Sequence, residues 1–204
     1  MKKILLTSII AISFLFGFDY FKVYNLSEFK DFKIYKPNGN FLKENLKMEK
    51  GDLNQTQIDK LLYIYEKEKM VRDMLLILNQ KYHYKFMPYI AMLTQKHISI
   101  LDMFFEKYNI KTPKFEYIVG KYENQEIQDE YNSLLKDSIK NELTAANLSV
   151  KFMTELIKLY NNAVESNLPK DLKRETLKLN AFNKKVLRKF KKGLRNIEIG
   201  LPIE

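Results

Sequence analysis

Apolar residues recur every three or four positions over most of the chain from Asn54 onward. This spacing places them on one face of an α-helix, because 3.6 residues make one turn. Asn54 and Gln57 are spaced as a capping box that would start the first helix. The pattern predicts four long helices, which begin at Asn54, near Pro88, near Ser138 and after Pro169, and a short helix over residues 126–135.

Turn-forming residues are scarce, with 6 Gly and 5 Pro in 204 residues, which argues against a many-stranded β fold. Residues 109–124, which contain Pro113 and Gly120, separate the second long helix from the short one and form a long crossover. Four amphipathic helices with one long crossover are typical of a ferritin-like four-helix bundle. We therefore predict an all-α protein, with a ferritin-like up-down four-helix bundle over residues 53–197.

The first 17 residues have the pattern of a signal peptide. Lys2 and Lys3 precede an apolar run over residues 4–16, which is shorter than the ~20 residues that a membrane-spanning helix needs. We expect an exported protein, periplasmic or secreted, without residues 1–17. An uncleaved membrane anchor and a buried N-terminal helix are the alternatives.

The stretch over residues 18–52 is rich in aromatic residues and has no helical period. Pro37, Asn38 and Gly39 form a turn signal within it. We predict an irregular N-terminal arm that packs its aromatic side chains on the helices. Residues 198–204 are predicted to form a loose tail.

The composition narrows the possible chemistry. The chain has no cysteine, which excludes disulfides, thiolate metal sites and thiol nucleophiles, and its 2 His mean that a transition-metal site would depend on carboxylates. No Gly-rich phosphate loop or nucleophile elbow is present.

The net charge is +10, and part of it comes from one predicted helix face. The basic residues of this face alternate along the sequence with apolar residues of the opposite face. This pattern is typical either of a solvated surface or of a surface that is attracted to an anionic lipid or polymer. Export argues against nucleic acid as the partner, and a homodimer remains open. The basic residues are Lys184, Lys185, Arg188, Lys189, Lys191, Lys192 and Arg195.

Polar residues interrupt the apolar stripes at a few positions that should face the core. Glu68 and Arg72 lie one turn apart in the first long helix, and the favoured interpretation is a buried ion pair. Thr94 and His97 interrupt the second helix, and Asn183 interrupts the fourth. His97 is interpreted as a core histidine and His83 as a surface or helix-capping residue.

Three sequence strings resemble a ferritin-like bacterial family of unknown function. LLYIYEKEKMVRD over residues 61–73 is similar to the family's LLYMREEEKLARD. TQKHISILDMFFEKYNIKTP over residues 94–113 and NQEIQDEYNSLL over residues 124–135 continue the similarity. The resemblance covers about residues 53–192 and implies a four-helix bundle that could hold metal at its centre.

The resemblance carries few metal ligands into this chain. Glu68 and His97 match acidic and imidazole positions of the family, and they are the candidate metal residues, for iron or manganese. Thr94 replaces a Glu, Met153 an acidic residue and Asn183 a His, and none of these is a suitable ligand for a carboxylate-type centre.

We therefore expect no cofactor, a degenerate metal site and a non-catalytic binding or structural role in the cell envelope. A metal-dependent oxidase or storage protein with a reduced site at Glu68 and His97 is one alternative. A basic binder of anionic lipid or polymer is the other.

Overall fold

The protein is all-α in its main architecture. A computed structural model describes residues 19–20, 22–29, 32–34, 37–84 and 86–200. The predicted signal peptide, the aromatic residues Phe18, Phe21 and Tyr35, and the last four residues lie outside these ranges. The six described helices are α1 Asn40–Lys47, α2 Gln55–Tyr82, α3 Phe86–Tyr108, α4 Gln125–Ser138, α5 Glu142–Glu165 and α6 Lys170–Glu198.

Side-chain hydrogen bonds and left-handed backbone positions mark several of the helix ends. The predicted capping box is confirmed, since Asn54 accepts from the backbone of Gln57 and the Gln57 side chain accepts from the backbone of Asn54. His83, Asn109 and Asn167 adopt a left-handed backbone conformation at the ends of α2, α3 and α5. The interpretation of His83 as an exposed capping residue is confirmed.

One helix boundary was predicted incorrectly. The third long helix was expected from residue 138, but α4 continues to Ser138 and α5 begins at Glu142. The reason is Asn141, whose side chain accepts from the backbone of Thr144 and starts a new helix at that point. The pattern of apolar residues alone did not reveal this break.

The four long helices pack side by side, so that each contacts two others. Helix α2 lies against α3 and α5, and α6 contacts both of these helices. The short helix α4 packs on α2 and α5, and α1 packs on α6 and α3. Among the described residues no helix has the length and apolar character needed to span a bilayer.

The N-terminal arm contains more regular structure than expected and packs on its own chain. Strand β1, Tyr24–Asn25, pairs antiparallel with strand β2, Ile118–Val119, in the crossover. The arm also contributes Leu26, Phe29 and Leu42 to the core. The crossover in turn contacts α2, because Arg72 donates to the backbone oxygen of Glu116 and Lys69 donates to that of Ile118.

Helix α2 is consequently buried on all sides through its middle. Every residue from 64 to 78 is buried, which is unusual for a helix of a soluble domain because one face normally meets solvent. Six charged residues lie within this buried stretch, and each requires a partner because an unpaired buried charge is strongly unfavourable. They are Glu66, Lys67, Glu68, Lys69, Arg72 and Asp73.

Candidate functional site

The centre of the helical core contains a polar group, the core cluster, formed by Glu68, His97, Tyr160 and Asn183. The Tyr160 hydroxyl donates to Oε1 of Glu68 at 2.8 Å, and Nδ2 of Asn183 donates to the same oxygen at 3.1 Å. Nδ1 of His97 lies 3.0 Å from that oxygen and donates in the tautomer that carries its proton there. The cluster therefore joins α2, α3, α5 and α6 through one carboxylate oxygen.

Tyr160 is firmly a donor in this arrangement. Burial, reinforced by the negative charges of Glu68 and Glu175, raises the pKa of Tyr160 well above its usual value. Its hydroxyl therefore keeps its proton at any ordinary pH. The ring of His97 is held from another side by an edge-to-face contact with Phe182, with ring centroids 5.0 Å apart.

Two carboxylate oxygens near this cluster lack hydrogen-bond donors within the described part of the chain. Oε2 of Glu68 is buried without a partner. Oε1 of Glu175 is also buried without a hydrogen bond, although the ammonium of Lys178 lies 3.7 Å away. The other oxygen of Glu175 accepts from Nδ2 of Asn45 at 2.8 Å. Buried acceptors of this kind attract a water molecule or a cation.

A pocket of about 250 Å³ reaches this region from the surface. Its walls are mostly apolar, and His97 and Glu175 contribute polar atoms. His97 is therefore the member of the core cluster that lies closest to solvent, with 5% of its surface exposed. The remaining pocket residues include Leu93, Lys96, Ile100, Lys178 and Phe182.

The predicted ion pair between Glu68 and Arg72 is wrong. Both side chains are fully buried, but Arg72 donates through Nε and Nη2 to Oδ1 of Asp73, at 2.9 and 2.7 Å. Arg72 also donates to the Gln95 side chain and, at 2.7 Å, to the backbone oxygen of Glu116. Its guanidinium group turns towards the crossover, whereas Glu68 faces the core.

Arg72 belongs to a second polar group, the crossover cluster, formed by Lys69, Arg72, Asp73, Gln95 and Tyr122. Oδ2 of Asp73 accepts from the Lys69 ammonium at 2.7 Å and from the Tyr122 hydroxyl at 2.9 Å. The backbone N–H of Gly120 donates to the same oxygen at 2.9 Å. Lys69 in addition donates to the backbone oxygen of Ile118 at 2.7 Å. The cluster thus fixes the crossover, through residues 116–122, onto α2.

Burial shifts the pKa values of Lys69 and Asp73, two members of the crossover cluster, in opposite directions. It lowers the pKa of Lys69 to about 8, although Asp73 counteracts part of the change. Burial alone would raise the pKa of Asp73, but the neighbouring cations Arg72 and Lys69 hold it below its usual value. Asp73 is therefore ionised, and it neutralises cations that would otherwise be stranded in the interior.

The start of α4 is held by another charged residue of α2. The Glu66 carboxylate accepts from the backbone N–H groups of Glu123 at 2.7 Å and Asn124 at 2.9 Å. An acidic group in this position accepts hydrogen bonds from N–H groups that have no partner within the helix, and its charge is stabilised by the positive end of the helix dipole. Lys67 forms an ion pair with Glu130 of α4, at 2.5 Å.

The sequence-predicted metal residues are brought together, but the expected ligand set is not. Glu68 and His97 are in contact, whereas the Thr94 hydroxyl donates to the backbone oxygen of Ile90 at 3.0 Å, within its own helix. Met153 is buried and Asn183 donates to Glu68. Over the described ranges, no three His, Asp or Glu side chains converge as a metal would require. The residues present do not fit a two-metal carboxylate centre.

Sequence reasoning missed Tyr160, Asp73 and Glu175. The signal for Tyr160 was its place within the apolar stripe of the third long helix, because the hydroxyl of a buried tyrosine usually finds a hydrogen-bond partner. Asp73 follows directly after Arg72, and that adjacency was the available signal. Glu175 adjoins Thr176, a second polar residue on the core-facing side of the fourth long helix, and both are buried.

The seven basic residues singled out in α6 are all exposed. No residue from 176 to 197 is acidic, and within the described residues no ion pair involves the seven. Their apolar neighbours Val186 and Phe190 are buried against the core. The surface is therefore cationic and not neutralised by local acidic partners.

Comparison with known proteins identifies relatives whose roles are not described. A family model described as "Uncharacterized protein domain (DUF2202)" matches residues 57–199. The "Uncharacterized protein MJ0754" of Methanocaldococcus jannaschii is 28% identical over 96 residues, which cover 47% of this chain and 52% of that protein. The chain thus matches about half the length of this curated relative.

The solved structure described as hypothetical protein MJ0754 from Methanococcus jannaschii is similar in fold, with a TM-score of 0.72. The alignment covers 74% of this chain and 87% of that chain at 23% identity. None of these matches carries a ferritin-like description, so the ferritin-like relationship stays a prediction.

Proposed function

We propose a function from the premise that this chain belongs to the DUF2202 family, whose model matches residues 57–199. The chain is a non-catalytic member of the ferritin-like four-helix proteins, with hydrogen bonds in place of a metal centre. It acts as a binding or structural domain of the cell envelope, to which residues 1–17 direct it.

One observation carries the proposal: a single oxygen of Glu68 accepts from three protein groups on three other helices. A metal ion bound to that oxygen would compete with the Tyr160 and Asn183 donors. Asn183 can donate from its amide nitrogen, whereas a ligand would have to present a lone pair to the metal. The arrangement serves to join four helices, and among the described residues no third His, Asp or Glu converges with Glu68 and His97 to complete a metal site.

The test is metal loading of the purified protein under anaerobic conditions with ferrous iron, manganese or zinc, followed by desalting and elemental analysis. We expect far less than one metal per chain for each ion. We also expect the same thermal unfolding midpoint with and without metal, because a ligand that binds the folded state would raise it. Near-stoichiometric metal in a folded protein would refute the proposal.

A second candidate is a single metal site at Glu68 and His97, in an oxidase or storage protein that uses iron or manganese. The buried Oε2 of Glu68, which lacks a donor among the described residues, favours it. In that case retained metal should disappear in Glu68→Gln and His97→Ala. His83→Asn is the matched control, because His83 is exposed and Asn tolerates its left-handed backbone. Equal metal content in all four proteins would exclude this site.

A further inference from the structure

We propose that one end of the molecule, the basal end, docks on the surface of an anionic phospholipid bilayer. The basal end comprises Tyr20 and residues 81–84, 86–89, 136–143 and 189–200. The proposal goes beyond the proposed function of the core, and it does not depend on whether the core binds metal.

Several chain segments meet at the basal end. The Tyr82 hydroxyl donates to the backbone oxygen of Ser138 at 2.9 Å, so the end of α2 lies beside the end of α4. Phe86, at the start of α3, contacts the ring of Phe190 in α6, with centroids 5.9 Å apart. The opposite end is equally well defined, because Gln57 there donates to the backbone of Ser166 between α5 and α6.

The basal end presents more basic than acidic side chains. Its acidic residues are Asp137, which already pairs with Lys140 at 2.7 Å, together with Glu142 and Glu198, and Asp19 precedes Tyr20. The exposed basic residues are Lys136, Lys140, Lys189, Lys191, Lys192 and Arg195. Each Lys or Arg near an anionic leaflet contributes roughly 1 kcal/mol to membrane attraction.

Large apolar side chains are exposed among these charges. Tyr89 is 51% exposed, Leu143 43% and Ile199 68%, and they come from three different helices or their ends. The Lys189 ammonium lies 5.8 Å from the centre of the Tyr89 ring. Apolar and aromatic groups next to cations match the boundary between lipid headgroups and acyl chains.

Tyr20 of the N-terminal arm lies at this same end. The Lys81 ammonium lies 5.9 Å from the centre of the Tyr20 ring, which places Tyr20 beside the end of α2. The described start of the arm, the basic charge and the exposed apolar groups therefore share one surface.

The first test measures flotation of the full chain with vesicles of pure phosphatidylcholine and with vesicles that contain three parts phosphatidylcholine and one part phosphatidylglycerol. We expect tighter binding to the anionic vesicles, weakened by salt. The variant Lys189→Glu, Lys192→Glu, Arg195→Glu should lose affinity for them by on the order of 100-fold or more. The matched control Lys158→Glu, Lys170→Glu, Lys173→Glu has the same change in net charge at other exposed sites and should bind far better.

The second test measures orientation, and the absence of cysteine makes it direct. The single substitutions Tyr89→Cys and Ile199→Cys would each carry a polarity-sensitive fluorophore. Leu177→Cys and Tyr117→Cys are the controls, because Leu177 and Tyr117 are 50% and 49% exposed. We expect a blue shift on anionic vesicles at Tyr89 and Ile199 only. Equal shifts at all four positions, or none, would overturn the proposal. A shift at Tyr89 that needs no vesicles would indicate a second copy of the chain instead, and would also overturn it.

Discussion

Asp73→Asn tests whether the crossover cluster holds the protein together. The substitution keeps the shape of the side chain and removes its charge. Asp73 is fully buried and accepts from Lys69, Arg72, Tyr122 and the Gly120 backbone. An amide in this place would direct its own N–H groups at donors and would leave the charges of Lys69 and Arg72 without their anion.

The expected loss of unfolding free energy at pH 7 is about 3–5 kcal/mol, as for other buried ion pairs from which one partner is removed. Such a loss is a large part of the roughly 5–15 kcal/mol that stabilises a typical domain. The charge on Arg72 cannot be relieved, because a guanidinium does not lose its proton in proteins. Lys69 can become neutral, since burial already lowers its pKa to about 8.

This difference between the two cations gives the prediction a pH signature. Because the pKa of Lys69 is lowered in the folded state, the folded protein loses this proton near pH 8, while the unfolded chain still holds it. The contribution of Lys69 to the unfolding free energy therefore becomes more favourable as the pH rises. In the wild type Lys69 is mostly charged at pH 7 and mostly neutral at pH 9, whereas in Asp73→Asn it is neutral at both. The effect of the substitution should therefore shrink by about 1.4 kcal/mol between pH 7 and pH 9.

Urea unfolding followed by circular dichroism at both pH values measures these quantities. Asp59→Asn is the matched control on the same helix, because Asp59 is exposed and accepts only from Gln55 among the described residues. It should change the unfolding free energy by less than about 0.5 kcal/mol. A loss below about 1 kcal/mol for Asp73→Asn, or an equal loss at both pH values, would refute the assignment of Asp73 as the counter-ion of Lys69 and Arg72.

Two further substitutions test carboxylates that lie partly or fully inside the protein. Burial and then the charge of Glu116 raise the pKa of Asp102 to about 7, so its stabilising proton is lost as the pH rises towards 7. Asp102→Asn should therefore leave stability unchanged near pH 4 and raise it by about 1–2 kcal/mol at pH 8, after allowance for solvent screening; a loss at pH 8 in urea unfolding would contradict this. Glu66→Gln should cost about 1–3 kcal/mol, because the carboxylate accepts from the backbones of Glu123 and Asn124. It should also speed amide hydrogen exchange at these two residues, and unchanged exchange would argue against the cap.

The sequence predicted the helices better than it predicted their polar contacts. Caps and apolar period are local properties, and the box at Asn54 was correct to the residue. Of the partners of Arg72, only Asp73 is adjacent in the sequence, whereas Gln95 and the backbone of Glu116 are distant. Glu68 and Arg72 differ by only about 40° around the helix, so the pattern placed them together. The long Arg72 side chain instead turns to Asp73, Gln95 and the backbone of Glu116 in the crossover.

The sequence predicted two members of the core cluster, Glu68 and His97, but neither its other donors nor its chemistry. Contact between Glu68 and His97 follows from their places on the core faces of neighbouring helices. That Asn183 would donate to Glu68, and that Tyr160 would join them, depends on how far each of four helices is shifted along its axis. A single sequence carries no direct record of that shift.

The string over residues 61–73, which carries the clearest resemblance, serves mainly the architecture. Glu66 holds the start of α4, Lys67 pairs with Glu130 in α4, and Asp73 with its two cations holds the crossover. Of its six charged residues only Glu68 faces the core cluster. Similarity in this string therefore indicates that a relative fixes its crossover onto α2 in the same way. Whether the core can bind metal depends instead on the residues at positions 94, 97, 153, 160 and 183. A relative could share the whole string and still differ in chemistry, because the groups that would decide metal binding lie on the other three long helices.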